Sequence, residues 1–222
     1  MADADVEVVI PSIKDEILTL ESIPESVPSH VVREGTLNEA RNDGVQQCDS
    51  ELVAIMDDDI TFTETLFWDL IDMADSHRLV GLADPEFGFV LGRVMIFHKS
   101  LWEEVGGFDE RLRSHNGDTD FALRAHRHGF EIIRVPEHIV FHRDHERSIT
   151  TFDRAWRLLY LCGKHPKFAP LLLSGTIHHN VQQLLGISDR VTVPDNDEWE
   201  VNAESPDLEA DDGESQTGDE RG

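Results

Sequence analysis

The fold of this chain is decided by one stretch, Leu52-Val53-Ala54-Ile55-Met56-Asp57-Asp58-Asp59. Five consecutive apolar residues predict a strand buried on both faces, as the central strands of α/β sheets are. The strand runs directly into three carboxylates, whose mutual repulsion and desolvation at a dry strand end require a compensating cation. Such oxygen ligands suit a hard divalent ion that also binds a diphosphate. The alternative is a solvated acidic turn, which is a serious rival in so acidic a chain.

The composition narrows the class of protein. The 222 residues include 45 Asp and Glu against 19 Lys and Arg, which gives a formal net charge of -26. Because no cluster of Lys and Arg is available to neutralise phosphates, binding of nucleic acid through a basic face is disfavoured. The acids are spread along the chain, as in proteins of salt-loving organisms, so we expect a halophilic source in which this charge keeps the protein solvated.

The sequence predicts a cytoplasmic protein. Residues 1–5 lack the basic region that begins a signal peptide. No run approaches the ~18–20 apolar residues that a membrane-spanning helix needs. Cys48 and Cys162 provide neither a disulfide framework nor a metal-binding spacing.

Strands alternate with helices along most of the chain. Apolar runs predict strands at 6–10, 29–33, 52–56, 79–83, 92–98, 131–135 and 138–142. Helical patterns cover 15–23, 36–48, 65–77, 99–105 and 118–128. Thr36 and Glu39 form the capping box that begins the second of these helices, and Gly129 follows the last one as its terminating residue. This alternation is typical of parallel βαβ units in an α/β fold.

We expect three segments: an α/β domain at 1–150, C-terminal helices at 151–194 and an acidic tail at 195–222. The tail holds 12 acids and a single basic residue, Arg221. It has too little apolar surface to offset its ordering entropy, so we expect it to be disordered. The apolar helices after residue 151 either cover the sheet, with an interruption near Ser174-Gly175, or rest on a membrane surface. The scarcity of basic residues makes membrane contact the weaker alternative.

Five short motifs follow one another in the chain. They are Val9-Ile10-Pro11-Ser12, Ala40-Arg41-Asn42-Asp43-Gly44, Asp57-Asp58-Asp59, Gly106-Gly107-Phe108-Asp109-Glu110 and Gly117-Asp118-Thr119-Asp120-Phe121-Ala122-Leu123-Arg124. Their order over roughly residues 6–145 resembles the family-2 glycosyltransferases of the GT-A fold. The resemblance implies a mixed sheet flanked by helices. It also implies the inverting, metal-dependent transfer of a sugar from a nucleotide-diphosphate sugar to an acceptor hydroxyl.

The resemblance further implies a donor site beyond the carboxyl ends of the strands. The candidate donor-binding residues are Pro11, Ser12, Glu34, Arg41, Asn42, Asp57 and Asp58. The candidate ligands of a divalent metal, manganese or magnesium, are Asp57, Asp59 and His142. Glu34 is a candidate for the nucleobase contact because Arg33-Glu34-Gly35 stands where the family commonly has an Asp-rich turn.

On the acceptor side, the resemblance places Asp118 on the Asp of the family's Glu-Asp motif, the usual general base of inverting members. Asp120 follows as a second, often structural acid. The candidates for acceptor-side contacts are Gly107, Phe108, Asp109 and Glu110. The implied partners are a nucleotide-diphosphate sugar and a glycan or lipid-linked acceptor, with peripheral contact at the inner face of the membrane as an alternative location.

One departure from the family pattern supports a different function. Gly117 stands where the family usually has Glu, so the chain could instead be a catalytically silent GT-A module that binds a nucleotide sugar or a partner. A sugar-phosphate nucleotidyltransferase is disfavoured, because Pro11-Ser12-Ile13-Lys14-Asp15 offers no glycine for a triphosphate-binding loop.

Overall fold

A six-stranded mixed sheet forms the centre of the fold in the computed structural model, which describes residues 5–113, 115–143 and 151–184. Its strands are β1 (Val6–Pro11), β2 (Ser29–Val32), β3 (Leu52–Met56), β5 (Arg78–Ala83), β6 (Val90–His98) and β7 (Glu131–Val135). Their spatial order is β2-β1-β3-β6-β5-β7. Strand β6 is antiparallel to both of its neighbours, whereas the other pairs are parallel. The predicted mixed α/β sheet is confirmed.

A short ladder and six helices complete the described structure. The ladder joins β4 (Ile60–Thr61) antiparallel to β8 (Phe141–His142). The helices are α1 (Leu37–Gln47), α2 (Glu64–Asp72), α3 (Lys99–Val105), α4 (Gly117–His128), α5 (Thr151–Lys164) and α6 (Ala169–Leu184). The predicted capping box at Thr36 and Glu39 is present, and Gly129 ends α4 with φ +93°.

Strand β3 lies between β1 and β6 and is covered on both faces, as its apolar run predicts. Val53 and Ile55 belong to one buried cluster, which also includes side chains of α1, α3 and α4. Ala54 and Met56 belong to a second cluster with side chains of α2. Because successive strand residues point to opposite faces, this alternation places helices on both sides of the sheet. The carboxylates that follow β3 therefore stand at the edge of a rigid, buried strand.

The helix predicted at 15–23 is wrong in extent. Only a single 3-10 turn, Leu18–Glu21, is formed there. The hydroxyl of Thr19 donates to the carbonyl of Asp57 at 2.6 Å and accepts from the amide of Ile60 at 3.3 Å. The conformation of this segment is therefore set by its hydrogen bonds to the turn after β3 and not by its own helical pattern. The strand predicted at 138–142 is likewise reduced to a 3-10 turn and the two residues of β8.

Helices α5 and α6 pack against α4 and neighbouring loops. A third buried cluster joins them and contains Phe87, Leu112, Leu123, Leu161 and Leu172. Helix α6 continues through Gly175, where an interruption was predicted. A Cβ at Gly175 would lie 2.2 Å from the carbonyl oxygen of Glu86, so this glycine permits close approach of the helix rather than a break.

The predicted tail at 195–222 lies outside the described residues, and the boundaries proposed at 150 and 194 remain predictions. Within the described ranges, no helix is long and apolar enough to cross a membrane.

The contact between α1 and β1 provides a test of this packing. A Cβ on Gly44 would lie 2.2 Å from Cγ1 of the buried Val9. We expect Gly44→Ala to lower the free energy of unfolding by about 1–3 kcal/mol, the usual cost of overpacking a core. Gly163→Ala is the control, because a Cβ on that glycine of α5 would meet nothing within 4 Å. It should stabilise by up to about 1 kcal/mol through helix propensity. Urea unfolding measures both changes, and equal effects would contradict the close packing of α1 on β1.

Candidate active site

The acid turn, Asp57–Asp59, is fixed by its own backbone. The Thr19 hydroxyl donates to the carbonyl of the first acid at 2.6 Å, and the Leu18 amide donates to that of the second at 3.0 Å. The Arg143 amide donates to the carbonyl of the third acid at 2.9 Å. Because the 3-10 turn and Arg143 hold these three peptide carbonyls, the backbone of the acid turn is fixed at the end of β3.

Asp58 and Asp59 share a lysine. Nζ of Lys14 lies 2.7 Å from Oδ1 of Asp58 and 3.1 Å from Oδ2 of Asp59. The hydroxyl of Ser12 also donates to Asp58. The two carboxylates are 11% and 8% exposed, whereas the lysine side chain is 48% exposed. Burial lowers the pKa of Lys14, but its hydrogen bonds to both acids and their charges outweigh this effect and raise the pKa.

Two of the predicted metal ligands come together. Nε2 of His142 lies 3.4 Å from Oδ1 of Asp59, because the ladder of β4 and β8 pairs Ile60 with His142. A carboxylate-rich site with one imidazole fits manganese or magnesium. Asp57 does not join them: among the described residues, Asp57, Asp59 and His142 do not place three ligand atoms within 4.8 Å of one another.

Asp57 instead faces a buried arginine. Nη2 of Arg41 lies 3.7 Å from Oδ1 of Asp57 and donates to the carbonyl of Gly92 at 3.1 Å. Burial raises the pKa of Asp57 to about 6. Arg41 opposes this shift, and the charges of Asp59 and Asp118 add to it. The guanidinium of Arg41 also lies over the ring of Phe108, with Cζ 5.5 Å from the ring centroid. Arg41 therefore connects the acid turn to β6 and to the ring of Phe108.

Gly92 of β6 connects this arginine to the candidate base. Its amide donates to Oδ2 of Asp118 at 2.7 Å, while the amide of Thr119 donates to Oδ1 at 2.9 Å. A Cβ at position 92 would lie 2.3 Å from Nη2 of Arg41 and 3.0 Å from Oδ2 of Asp118. The approach of these two side chains thus requires a glycine in the strand. Sequence reasoning missed Gly92, although an isolated glycine inside a strand signals such a close contact.

The structure also explains the glycine at 117. A Cβ there would lie 2.1 Å from Nδ2 of Asn38, which is 1% exposed. Nδ2 of Asn38 donates to the carbonyls of Asp109 and Leu112 at 2.9 Å and 2.7 Å. Asn38 of α1 therefore fills the space in which a longer side chain at 117 would begin. The absence of a Glu at position 117 therefore leaves no cavity beside Asp118, because Asn38 occupies the space.

Asp120 lies in a different environment from Asp118. It is completely buried and accepts from Nε2 of His165 at 2.8 Å. Nζ of Lys164 and Nη2 of Arg124 lie 2.8 Å from its carboxylate oxygens. Burial raises the pKa of Asp120, but these three partners outweigh burial and lower it. These contacts fasten the end of α5 to α4.

The loop predicted to contact the acceptor is folded by Asn42. Its amide oxygen accepts from the Phe108 backbone at 2.7 Å, and its Nδ2 donates to the Phe108 carbonyl and to Glu110, both at 3.0 Å. Gly107 has φ +70°, and a Cβ there would lie 2.9 Å from the amide oxygen of Asn42. Asp109 accepts from Tyr160 and Lys164 of α5, each at 2.6 Å.

This loop lines a cavity of about 520 Å³ that does not include Asp118. Asp118 faces a separate cavity of about 150 Å³, which it shares with the polar side chains Asp84, Arg93, His115, Glu137, Arg154 and Arg157. The structure therefore does not bring the predicted acceptor-side loop and the candidate base into one cavity. The remaining donor candidates lie near the acid turn or on the same edge of the sheet. Pro11 is buried at the end of β1, and Glu34 is exposed just after β2.

One compact group of potential metal ligands lies elsewhere. Side-chain atoms of Glu7, His30 and Cys48 lie within 4.8 Å of one another, at the start of β1 and β2. Glu7 accepts from the amides of Asp49 and Ser50 at 2.8 Å and 2.7 Å, and it also bonds to His30. These contacts occupy both carboxylate oxygens and tie β1 to the loop before β3.

The mixed sheet and the acid turn at its edge define a GT-A type of α/β protein. The mannosyltransferase PcManGT from Pyrobaculum calidifontis, solved with GDP-Man and Mn2+, has this fold. Its TM-score is 0.54 and its identity 16%, over 83% of this chain and 72% of that one. TarS 1-349 from S. aureus, solved with UDP-GlcNAc, superposes with a TM-score of 0.56. Its identity is 14%, over 85% of this chain and 76% of that one.

A sequence profile gives the family. The glycosyl transferase family group 2 matches residues 27–184, which span α1 to α6 and all three acids of the turn. A search of curated proteins gives no match. The chain therefore belongs to glycosyl transferase family group 2 and is a glycosyltransferase.

The cavity beside Asp118 contains a group that should make stability depend on pH. Burial, together with the charge of Asp118, raises the pKa of Asp84 from 3.8 to about 7. The folded state thus favours protonated Asp84, and the stability that this provides is lost as the pH rises from 4 to 7. Relative to the wild type, Asp84→Asn should gain about 2–3 kcal/mol between pH 5 and pH 8, at 1.36 kcal/mol per pH unit.

Urea unfolding at the two pH values measures this gain. Asn can still accept the bond that Oδ1 of Asp84 receives from the Glu86 amide at 2.9 Å. Asp43→Asn, at an exposed position of α1, controls for the loss of one negative charge. If Asp84→Asn follows the pH dependence of the wild type, the cavity does not shift this carboxyl group.

Proposed function

We propose that this glycosyltransferase is an inverting, metal-dependent enzyme that moves a sugar from a nucleotide-diphosphate sugar to an acceptor hydroxyl. The observation that carries the proposal is the arrangement around β3. Asp59 with His142 offers a cation site, and Asp57 is linked through Arg41 and Gly92 to a separate carboxylate, Asp118. Glycosyl transfer needs these two functions, because the leaving diphosphate needs a cation and the attacking hydroxyl needs a base.

On the donor side, Asp59 and His142 would hold the divalent ion, manganese or magnesium, with Asp57 on the sugar and ribose side. The ion supplies Lewis-acid stabilisation of the departing diphosphate when bound. Pro11, Ser12 and the neighbouring residues of the sheet edge would border the nucleotide. The GDP-Man and UDP-GlcNAc present in the two structural neighbours support a nucleotide sugar as donor.

On the acceptor side, Asp118 would act as the general base. Two backbone amides orient its carboxylate, which faces a cavity open to an incoming hydroxyl group. A base on the face of the sugar opposite to the leaving group gives inversion. Asp120 would be structural, because its carboxylate is enclosed by Lys164, His165 and Arg124.

The acceptor would be a glycan or a lipid-linked sugar. Exposed apolar side chains on α5 and α6, such as Phe152, Leu159 and Ile177, fit an approach to a membrane surface. With a lipid-linked acceptor the protein would work at the inner face of the membrane, and with a free glycan it would be cytoplasmic. The alternative of a catalytically silent module rests on Gly117, and Asn38 accounts for that residue by packing.

The metal site is tested with Asp59→Asn. We expect this variant to keep its fold and to lose Mn2+-dependent binding of the donor. A thermal-shift panel of nucleotide-diphosphate sugars, with and without Mn2+, measures this loss. A ligand at ~100 times its dissociation constant stabilises the protein by about 2.7 kcal/mol, a shift that is readily seen. Glu103→Gln, at an exposed position of α3, controls for the loss of one carboxylate. An unchanged donor response in Asp59→Asn would exclude Asp59 as a metal ligand.

The base is tested with Asp118→Asn, which keeps the shape of the side chain and cannot accept a proton. Transfer should fall by about 10²-fold or more, the usual worth of general-base catalysis. Donor binding should be retained. Asp120→Asn is the matched variant, and we expect it to lower the melting temperature because Lys164 and Arg124 lose the carboxylate that balances their charges. Normal transfer by Asp118→Asn would exclude Asp118 as the base, whereas absence of transfer by the wild type with every donor would favour the silent module.

A further inference from the structure

Lys14 occupies a position that the donor-side chemistry leaves unexplained. Its ammonium group lies between Asp58 and Asp59, at 2.7 Å and 3.1 Å from their oxygens. It comes from the segment after β1, two residues beyond Ser12, and none of the five motifs includes it. A cation therefore already stands at two of the three acids that predict a divalent ion.

The two acids provide the reason for this contact. They are adjacent in sequence and almost buried, with 11% and 8% of their side chains exposed. Two neighbouring carboxylates in such surroundings repel each other, and removal from water adds to the cost of ionising both. Lys14 compensates both charges at once.

The side chain of Lys14 can also leave. Nearly half of it, 48%, is exposed, and the carboxylates anchor it only through its terminal nitrogen. A long, flexible side chain of this kind can move its charge into water while its stem stays in place. The backbone of the acid turn stays in place, because its carbonyl groups accept hydrogen bonds from Thr19, Leu18 and Arg143.

The ammonium and a metal ion use the same oxygens. Oδ2 of Asp59 bonds to Lys14 while Oδ1 lies 3.4 Å from His142, so both oxygens of the proposed metal ligand face a cationic or titratable group. An ion bound at this carboxylate would lie within a few ångströms of Nζ. Two positive charges at that separation repel strongly even at a partly exposed site.

We propose that Lys14 is a resident counter-cation of the metal site, which holds Asp58 and Asp59 in the metal-free protein and competes with the divalent ion for them. This inference rests on the proposed function only in assigning Asp59 to the metal. The protein is then stable without metal, and it binds the metal more weakly than the same acids would without the lysine.

The test is direct titration of the full chain with Mn2+ alone. Electron paramagnetic resonance of the free ion measures how much Mn2+ is bound. Lys14→Met keeps the apolar stem and removes the charge. We expect it to bind Mn2+ about tenfold more tightly than the wild type, or more, since one repelling charge is gone. Lys14→Arg keeps the charge and should bind Mn2+ as weakly as the wild type.

Thermal unfolding supplies a second readout, since Lys14→Met should raise the affinity for Mn2+ but lower the melting temperature of the metal-free protein. Without metal, Lys14→Met should melt at a lower temperature than the wild type, because the acid pair has lost its counter-charge. Added Mn2+ should then raise its melting temperature more than that of the wild type. A variant that was merely damaged would melt lower and would not gain more from the metal.

Two controls separate the outcomes. Lys167→Met removes a charge at an exposed residue between α5 and α6, and it should bind Mn2+ as the wild type does. The double variant with Lys14→Met and Asp59→Asn should lose the tighter Mn2+ binding expected of Lys14→Met alone. The proposal is overturned if Lys14→Met binds Mn2+ no more tightly than the wild type, if Lys167→Met gains as much, or if the gain persists without Asp59. Failure of the proposed function has a different signature, because Asp59→Asn alone would then leave Mn2+ binding unchanged.

Discussion

Repulsion among the three carboxylates after β3 is the constraint on which the rest of the site depends. Two basic side chains from different parts of the chain compensate the three acids. Asp57 is paired with Arg41 of α1, while Asp58 and Asp59 share Lys14 from the segment after β1. Lys14 follows β1, Arg41 lies on the helix after β2, and the acids follow β3. The order of these elements therefore serves the charge balance of the site as well as its packing.

Small residues let this charge arrangement form next to a tightly packed core. Gly92 lets Arg41 and Asp118 approach β6 from the same side. Gly117 makes room for Asn38, whose side-chain amide donates hydrogen bonds to two carbonyl groups of the loop before α4. Asn38 and Gly117 are thus one spatial unit, although 79 positions separate their numbers. A sequence comparison that scores Gly117 alone as a lost Glu overlooks the residue that took its space.

The sequence was sufficient for the elements whose pattern is local. The apolar run of β3, the capping box of α1 and the glycine after α4 are confirmed where they were predicted. Thr19 shows why local patterns fail elsewhere, since its hydroxyl serves the acid turn and the predicted helix gives way to a 3-10 turn. The partners of Lys14 and Gly92 could not be assigned from the sequence for a similar reason. Their partners are more than 20 residues away and are chosen by the sheet order.

Lys164 has a consequence for how the protein opens locally. Its ammonium group bonds to Asp109 of the loop and to Asp120 of α4, at 2.6 Å and 2.8 Å, so one side chain of α5 closes two contacts at once. Detachment of α5 would remove the ammonium group of Lys164 from the buried carboxylate of Asp120, and this cost discourages fraying of the helix by itself. Loop, α4 and the end of α5 then form one cooperative unit, whose backbone amides exchange with solvent together rather than one element at a time.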